Sequence, residues 1–211
     1  MVNRAVFAGI LTAIIFFSGL SLGFFWDNLR QDRVNRDLDE MFVFSSALFL
    51  ESKLIDDAGC ESMAPLLDEA IVEISKSLGR YETYLSGSRF DIDAEQILYR
   101  RYLMSNMRYW LFAREFQERC DWNTSIMIFF IGPDCSECDL VSNRLIYLKK
   151  KYDDKVLVFP VNMELAHNDP VANTLKAIYN VTMYPTVIVD GEKAIELDKD
   201  GLEGLACKKI C

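Results

Sequence analysis

Histidine occurs once in these 211 residues and proline five times. The single His167 sits in the polar run Glu164-Leu165-Ala166-His167-Asn168-Asp169-Pro170, which reads as a solvated loop and not as a catalytic base. Basic residues are outnumbered, and the net charge is −9. That balance argues against nucleic acid as a partner, because phosphate binding needs clustered Lys and Arg. The acidic residues are spread along the chain, as on a solvated surface. No internal repeat and no low-complexity segment is present. Glycine and proline are both missing between Phe24 and Ala58, so nothing there interrupts a long helix.

Half of the chain is hydrophobic, enough for a real core. Ala5 to Trp26 form an apolar segment of 22 residues, which predicts a transmembrane anchor over residues 1–26. A cleaved signal peptide is the rival reading, but no small-x-small site ends the run. Arg30, Arg33 and Arg36 on its C-terminal side, against Arg4 alone, favour a cytoplasmic C-terminal part. Six cysteines favour an oxidising compartment instead. The expectation taken forward is a single-pass membrane protein whose soluble part is extracytoplasmic.

Residues 27–120 read as an antiparallel three-helix domain. Val34, Leu38, Met41, Ser45, Leu48, Ser52 and Ile55 alternate steps of four and three on a first helix. Gly59 and Pro65 mark a turn. Leu67, Ile71, Ile74, Leu78, Tyr81 and Leu85 form the stripe of a second helix, ended by Ser86-Gly87-Ser88. Asp93 with Gln96 resembles a capping box for a third, with Ile92 and Ile97 placed as a staple. That helix carries Tyr99, Tyr102, Tyr109, Trp110, Phe112 and Phe116, for which core packing is the expected role. They occupy more than one stripe, so some face outward, where the C-terminal domain, a membrane partner or another protomer could meet them. In an up-down-up bundle Cys60 and Cys120 lie at one end, which suits a structural disulfide.

From Thr124 the pattern alternates strand and helix. Strands are expected at 125–131, 156–163, 185–190 and 194–197, and helices at 136–151, 169–180 and 201–211. This βαβαββα order fits a small mixed sheet covered on both faces. Pro160 falls inside the second strand, which points to an edge or a bulge and is compatible with a strand order 2-1-3-4, where that strand is at an edge. At the junction of the first strand and its helix stands Cys135-Ser136-Glu137-Cys138. Two thiols one helical turn apart, the first at a helix N-terminus, make a dithiol that opens and closes. The helix dipole there favours the attacking thiolate.

Over residues 124–211 the chain resembles the thioredoxin superfamily. The resemblance rests on strand–Cys135-Ser136-Glu137-Cys138–helix, on Val161-Asn162-Met163-Glu164, and on Met183-Tyr184-Pro185-Thr186 opening a strand that ends in Asp190-Gly191-Glu192. It implies an α/β thioredoxin-like domain and a thiol:disulfide oxidoreductase with protein thiols and disulfides as substrates. It implies Cys135 as nucleophile, Cys138 as resolving thiol, and a cis Pro185 facing the sulfurs. Tyr184, Pro185 and Thr186 would bind an extended substrate segment. No organic cofactor is implied, but a redox partner, in the membrane or soluble, must recycle the dithiol.

There are departures from the family pattern. Asp134 replaces the usual aromatic residue before the first cysteine, and Phe129 stands where thioredoxins carry a buried acid. Glu137 is a candidate substitute proton acceptor. Asp134, Glu137 and Asp139 raise the thiol pKa against the helix terminus, which favours a reductase or isomerase poise over a strong oxidase. Two other readings remain. Cys135 and Cys138 could join Cys207 and Cys211 as a four-sulfur zinc site. The domain could also be a non-catalytic binding module. Cys207 and Cys211, four apart in an expected helix, are poorly spaced for a disulfide unless its end frays, and are expected to be free or structural; a second redox pair or partners of other cysteines are the alternatives. Asn123-Thr124-Ser125 and Asn180-Val181-Thr182 match glycosylation sequons.

Overall fold

The computed structural model describes residues 9–21, 59–87 and 92–211. The chain divides into two compact units, Met1–Asp57 and Ala58–Cys211. In the first unit residues 9–21 are helical (α1). Among the described residues no helix is long and apolar enough to cross a membrane. This overturns the expected N-terminal transmembrane helix, the fold class built on it, and the single-pass membrane placement. The first helix expected for the stalk lies outside the described residues.

The second unit opens with α2 (Cys60–Leu85) and α3 (Ile92–Arg119). Pro65 falls inside α2, one turn from its start, and does not end it. The buried stripe of α2 is Met63, Leu67 and Ala70, in steps of four and three. Ile71 and Leu85, expected on that stripe, are exposed. On α3 the steps Tyr99, Leu103, Met107, Trp110 are all buried. Asp93 lies inside the first turn of α3 instead of ahead of it as a cap.

The sheet has the order β2-β1-β3-β4. β1 (Ser125–Ile131) pairs in parallel with β2 (Val156–Asn162) and antiparallel with β3 (Thr186–Val189). β4 is only Glu192–Lys193. A strand expected at 194–197 is absent, because Asp190 and Gly191 both take positive φ (49° and 88°) and reverse the chain at once. Pro160 lies on edge strand β2, where its missing N–H leaves no ladder bond unmade.

Alternation along β1 separates two layers. Met127 and Phe129, with Val187 and Val189 beside them, face α4 (Cys138–Tyr152) and α6 (Lys199–Ile210). Those helices contribute Val141, Leu145 and Leu148, and Leu202, Ala206 and Ile210, to one buried cluster. The opposite face is covered by α3. The Tyr109 and Phe159 rings lie 5.6 Å apart, and Asn106 Nδ2 donates to the Pro160 carbonyl at 3.3 Å. Between β2 and β3 lies α5 (Pro170–Ile178), capped by the Asp169 carboxylate, which accepts from the N–H groups of Val171 and Ala172.

α3 thus lies in the same compact unit as the sheet it covers. Its other side meets α2, through the Arg108–Glu73 ion pair and the Tyr81–Tyr99 ring pair at 5.7 Å. Residues 105–110 are all buried, as expected for a helix packed on two sides. The sulfurs of Cys60 and Cys120 are bonded, joining the start of α2 to the end of α3 across 60 residues. Closing so long a loop contributes about 4 kcal/mol in the chain-entropy account.

Candidate active site

β1 ends at Ile131, and Gly132-Pro133-Asp134 carries the chain off the sheet. Asp134 takes φ 51°, a left-handed conformation that aspartate tolerates better than most residues. Cys135 follows, and α4 begins at Cys138. The Cys138 N–H donates to the Cys135 carbonyl at 3.2 Å, and the two sulfurs are bonded at 2.04 Å. Cys135 is partly exposed, while Cys138 is 5% exposed and belongs to the cluster with Met127, Phe129, Val141 and Leu145. The two thiols thus differ in access: an external sulfur reaches Cys135 and not Cys138.

The peptide bond Tyr184–Pro185 is cis. Phe130 pairs with Thr186, so one further register step sets Pro185 opposite Ile131, and the next sets Tyr184 opposite Gly132. The Tyr184 ring lies directly over Gly132, where a Cβ would fall 2.0 Å from the ring carbon Cδ2. Only glycine allows that approach. Lys176 of α5 holds its ammonium 5.5 Å from the centre of the same ring. Thr186 is buried, and its hydroxyl donates to the Met183 carbonyl at 2.7 Å. The structure therefore brings Tyr184, Pro185 and Thr186 to the end of β1 from which the dithiol loop departs.

Asp134, Glu137 and Asp139 are all exposed. Glu137 is not sequestered beside Cys138, and Phe129 fills the cluster there. His167 is exposed and hydrogen-bonds within its own loop, to Glu164 O and Asn168.

Cys207 and Cys211 are bonded to each other, in the last turn of α6. The Tyr152 hydroxyl lies 3.6 Å from Cys207 Sγ. Tyr152 ends the helix that Cys138 begins, about 21 Å away at ~1.5 Å per residue. The four sulfurs of the zinc reading are therefore held at opposite ends of α4. Among the described residues no group of three or more His, Cys, Asp or Glu side chains is placed to hold a metal ion.

Two contacts had no precedent in the sequence reading. The Asp190 carboxylate accepts from Gln117 Nε2, Ser125 Oγ and Ile126 N, at 2.9, 2.8 and 2.9 Å. This locks the end of α3 to the start of β1 and to the β3–β4 turn. The Tyr99 hydroxyl accepts from the Asn162 N–H. An Asp-Gly turn beside a strand end was the only signal for the first, and nothing local announced the second.

Taken together, these features describe a small mixed α/β domain with a bonded cysteine pair at the N-terminus of a helix, the first cysteine partly exposed and the second buried. No family model matches the chain. No curated protein matches it either. Among solved structures, that of a malarial protein is 19% identical, with a TM-score of 0.34, covering 42% of this chain and 99% of that one. A crystal structure of a mutant thioredoxin-like protein is 26% identical, with a TM-score of 0.29, covering 37% of this chain and 96% of that one. The sulfurs of Cys135 and Cys138 stand at disulfide distance, which is compatible with redox chemistry.

Proposed function

We propose that the chain is a thiol:disulfide oxidoreductase that exchanges disulfides with protein substrates through Cys135 and Cys138. The observation that carries this reading is the unequal exposure of two bonded sulfurs at the start of α4. In the reducing direction, the Cys135 thiolate attacks a substrate disulfide and expels one substrate thiolate. Cys138 then attacks Cys135 Sγ, closes the intramolecular disulfide and releases the second substrate thiolate. Two electrons pass from the dithiol to the substrate, and each released thiolate takes a proton. Sulfur supplies all of this chemistry, so no organic cofactor is needed. A second dithiol protein must recycle the enzyme. With a net charge of −9, nucleic acid is no partner in this reading.

Tyr184, Pro185 and Thr186 are assigned to the substrate. They lie at the strand end next to the dithiol, where an extended segment can bond to their backbone. The exposed carboxylates of Asp134, Glu137 and Asp139 support a reductase or isomerase poise, since negative charge disfavours the thiolate that a strong oxidant must stabilise.

The test is insulin reduction with the full chain, with Cys135→Ser as control. Turnover lost in the variant is the expected result. No turnover by the wild-type chain in either direction, reduction or thiol oxidation, would favour the binding-module reading. A potential of the couple near −120 mV, on the order of the strongest protein oxidants, would reject the assigned poise.

A further inference from the structure

We propose that Cys207 and Cys211 form a second thiol/disulfide couple, opened and closed by an external dithiol independently of Cys135 and Cys138. The pair repeats the asymmetry of the first. Cys211 is exposed at the end of the chain, and Cys207 is partly covered. Tyr152 touches Cys207 from the end of α4 opposite to Cys138. At that separation, about 21 Å from the helical rise, neither pair attacks the other within one molecule. Electrons reach Cys207 and Cys211 only from outside.

Opening this bond breaks no tertiary tie. Both sulfurs belong to one helical turn, whose N–H of Cys211 already donates to the Cys207 carbonyl at 3.3 Å. Leu202, Ala206 and Ile210 anchor α6 in the core on their own account. The Cys60–Cys120 bond is different, since it joins two helices. A bond that holds nothing together, and is exposed on one sulfur, is the kind that exchange uses.

The surroundings of Cys207 fit a leaving thiolate. An incoming thiolate from a dithiol reductant attacks Cys211 Sγ, and the Cys207–Cys211 bond breaks. Cys207 leaves with the electron pair. The Tyr152 hydroxyl turns to donate to it. That hydroxyl now contacts Glu203 Oε1 at 2.7 Å, but Lys151 Nζ also holds Glu203, so the carboxylate keeps a donor when Tyr152 turns. The reductant's second thiol then attacks its own sulfur in the mixed disulfide and frees Cys211. One external dithiol becomes a disulfide, one protein disulfide becomes two thiols, and the two protons of the reductant end on Cys207 and Cys211. Tyr152 keeps its proton throughout.

The experiment uses the full chain, equilibrated in dithiothreitol buffers of graded ratio, acid-quenched, alkylated and read by mass spectrometry at each cysteine. Expected is a reversible two-electron transition at Cys207 and Cys211, unchanged in a Cys135→Ser/Cys138→Ser variant, with Cys60 and Cys120 unlabelled throughout. Tyr152→Phe should slow the opening by roughly tenfold, the loss of one hydrogen bond to a charged sulfur, with an unchanged circular dichroism spectrum. The proposal is overturned if Cys207 and Cys211 are free in the air-oxidised protein. It is equally overturned if they open only in denaturant, or only when Cys135 and Cys138 are present. Since labelling is read pair by pair, a failed insulin assay with a normal Cys207–Cys211 transition would remove the proposed function and leave this couple standing.

Discussion

The Asn162 N–H donates to the Tyr99 hydroxyl at 2.6 Å and ties α3 to the end of edge strand β2. This N–H belongs to an outer strand and has no further strand to bond. A side chain from a distant helix takes the place of the missing ladder. Tyr99→Phe keeps the ring and removes the acceptor. The expected loss is about 1–3 kcal/mol, the cost of an unsatisfied buried donor, read from urea unfolding. An unchanged midpoint would mean that water replaces the hydroxyl without cost.

The tyrosines packed around α3 also set a pH limit. Burial raises the pKa of Tyr99 and Tyr102, and that of Tyr109 to about 12. In the unfolded chain each titrates near ~10. Between those values the folded state holds protons that the unfolded state has released, so stability falls as pH rises. Below the unfolded pKa this contribution is complete. Melting temperature should therefore be flat up to about pH 10 and drop steadily towards about 12, with Tyr109→Phe flattening the drop. A flat profile through that window would show that these hydroxyls ionise in place.

Gly132 is set against Tyr184. The added Cβ of Gly132→Ala would fall 2.0 Å from the ring, with the ring's neighbouring carbons at 2.4 and 2.7 Å, so the tyrosine must move. Overpacking of this kind costs roughly 1–3 kcal/mol. Disulfide exchange should fall with it, because Tyr184 sits in the proposed substrate strand. Full activity in a stable Gly132→Ala chain would show that the position of Tyr184 is irrelevant to exchange.

Removing the clasp between α2 and α3 gives a further check on stability. Cys120→Ser should cost about 2–5 kcal/mol, as for native disulfides generally. Hydrogen exchange should quicken first in the first turns of α2, which the bond holds against the end of α3. Uniform quickening over the whole unit would instead show that α2 and the sheet unfold as one.

The parts that could be read locally are those with a short-range cause. Val141, Leu145 and Leu148 recur at helical spacing and are buried along α4. Cys135-x-x-Cys138 and Tyr184-Pro185-Thr186 were visible as motifs, and the register brings them to one end of β1. The role of α3 was hidden for a physical reason. Its buried polar residues are Asn106 and Gln117 towards the sheet and Arg108 towards α2, whose partners Pro160, Asp190 and Glu73 lie far off in sequence. Polar residues of that kind look like a solvated face until the fold supplies their acceptors. The apolar run Ala5–Trp26 points in the opposite sense: its composition suggests a membrane span, whereas no described helix is long and apolar enough to cross a membrane. Ile195 misled similarly; it was assigned to a strand and is 96% exposed.

The surroundings of Cys138 determine how the second half of exchange should depend on pH. To resolve a mixed disulfide, Cys138 must first lose its proton. Its cluster is apolar and includes Met127, Phe129, Val141, Leu145 and Val187, with Phe129 where a carboxylate would be useful. Asp134, Glu137 and Asp139 stand in solvent. Asp169, a buried carboxylate, caps α5 and lies 2.9 Å from Arg100 Nε. Asp190 is bound to Ser125 at the far end of β1, about 20 Å from Ile131 at ~3.3 Å per residue. No described carboxylate is thus positioned to accept the proton, and it must pass to water or hydroxide. The resolution rate should rise about tenfold per pH unit through neutrality, following the thiolate fraction. Rapid-quench trapping of the mixed disulfide in the wild-type chain measures this, with Cys138→Ser as the non-resolving control. A rate that levels off below neutral pH would reveal a proton acceptor beside Cys138 and overturn the assignment of solvent to that task.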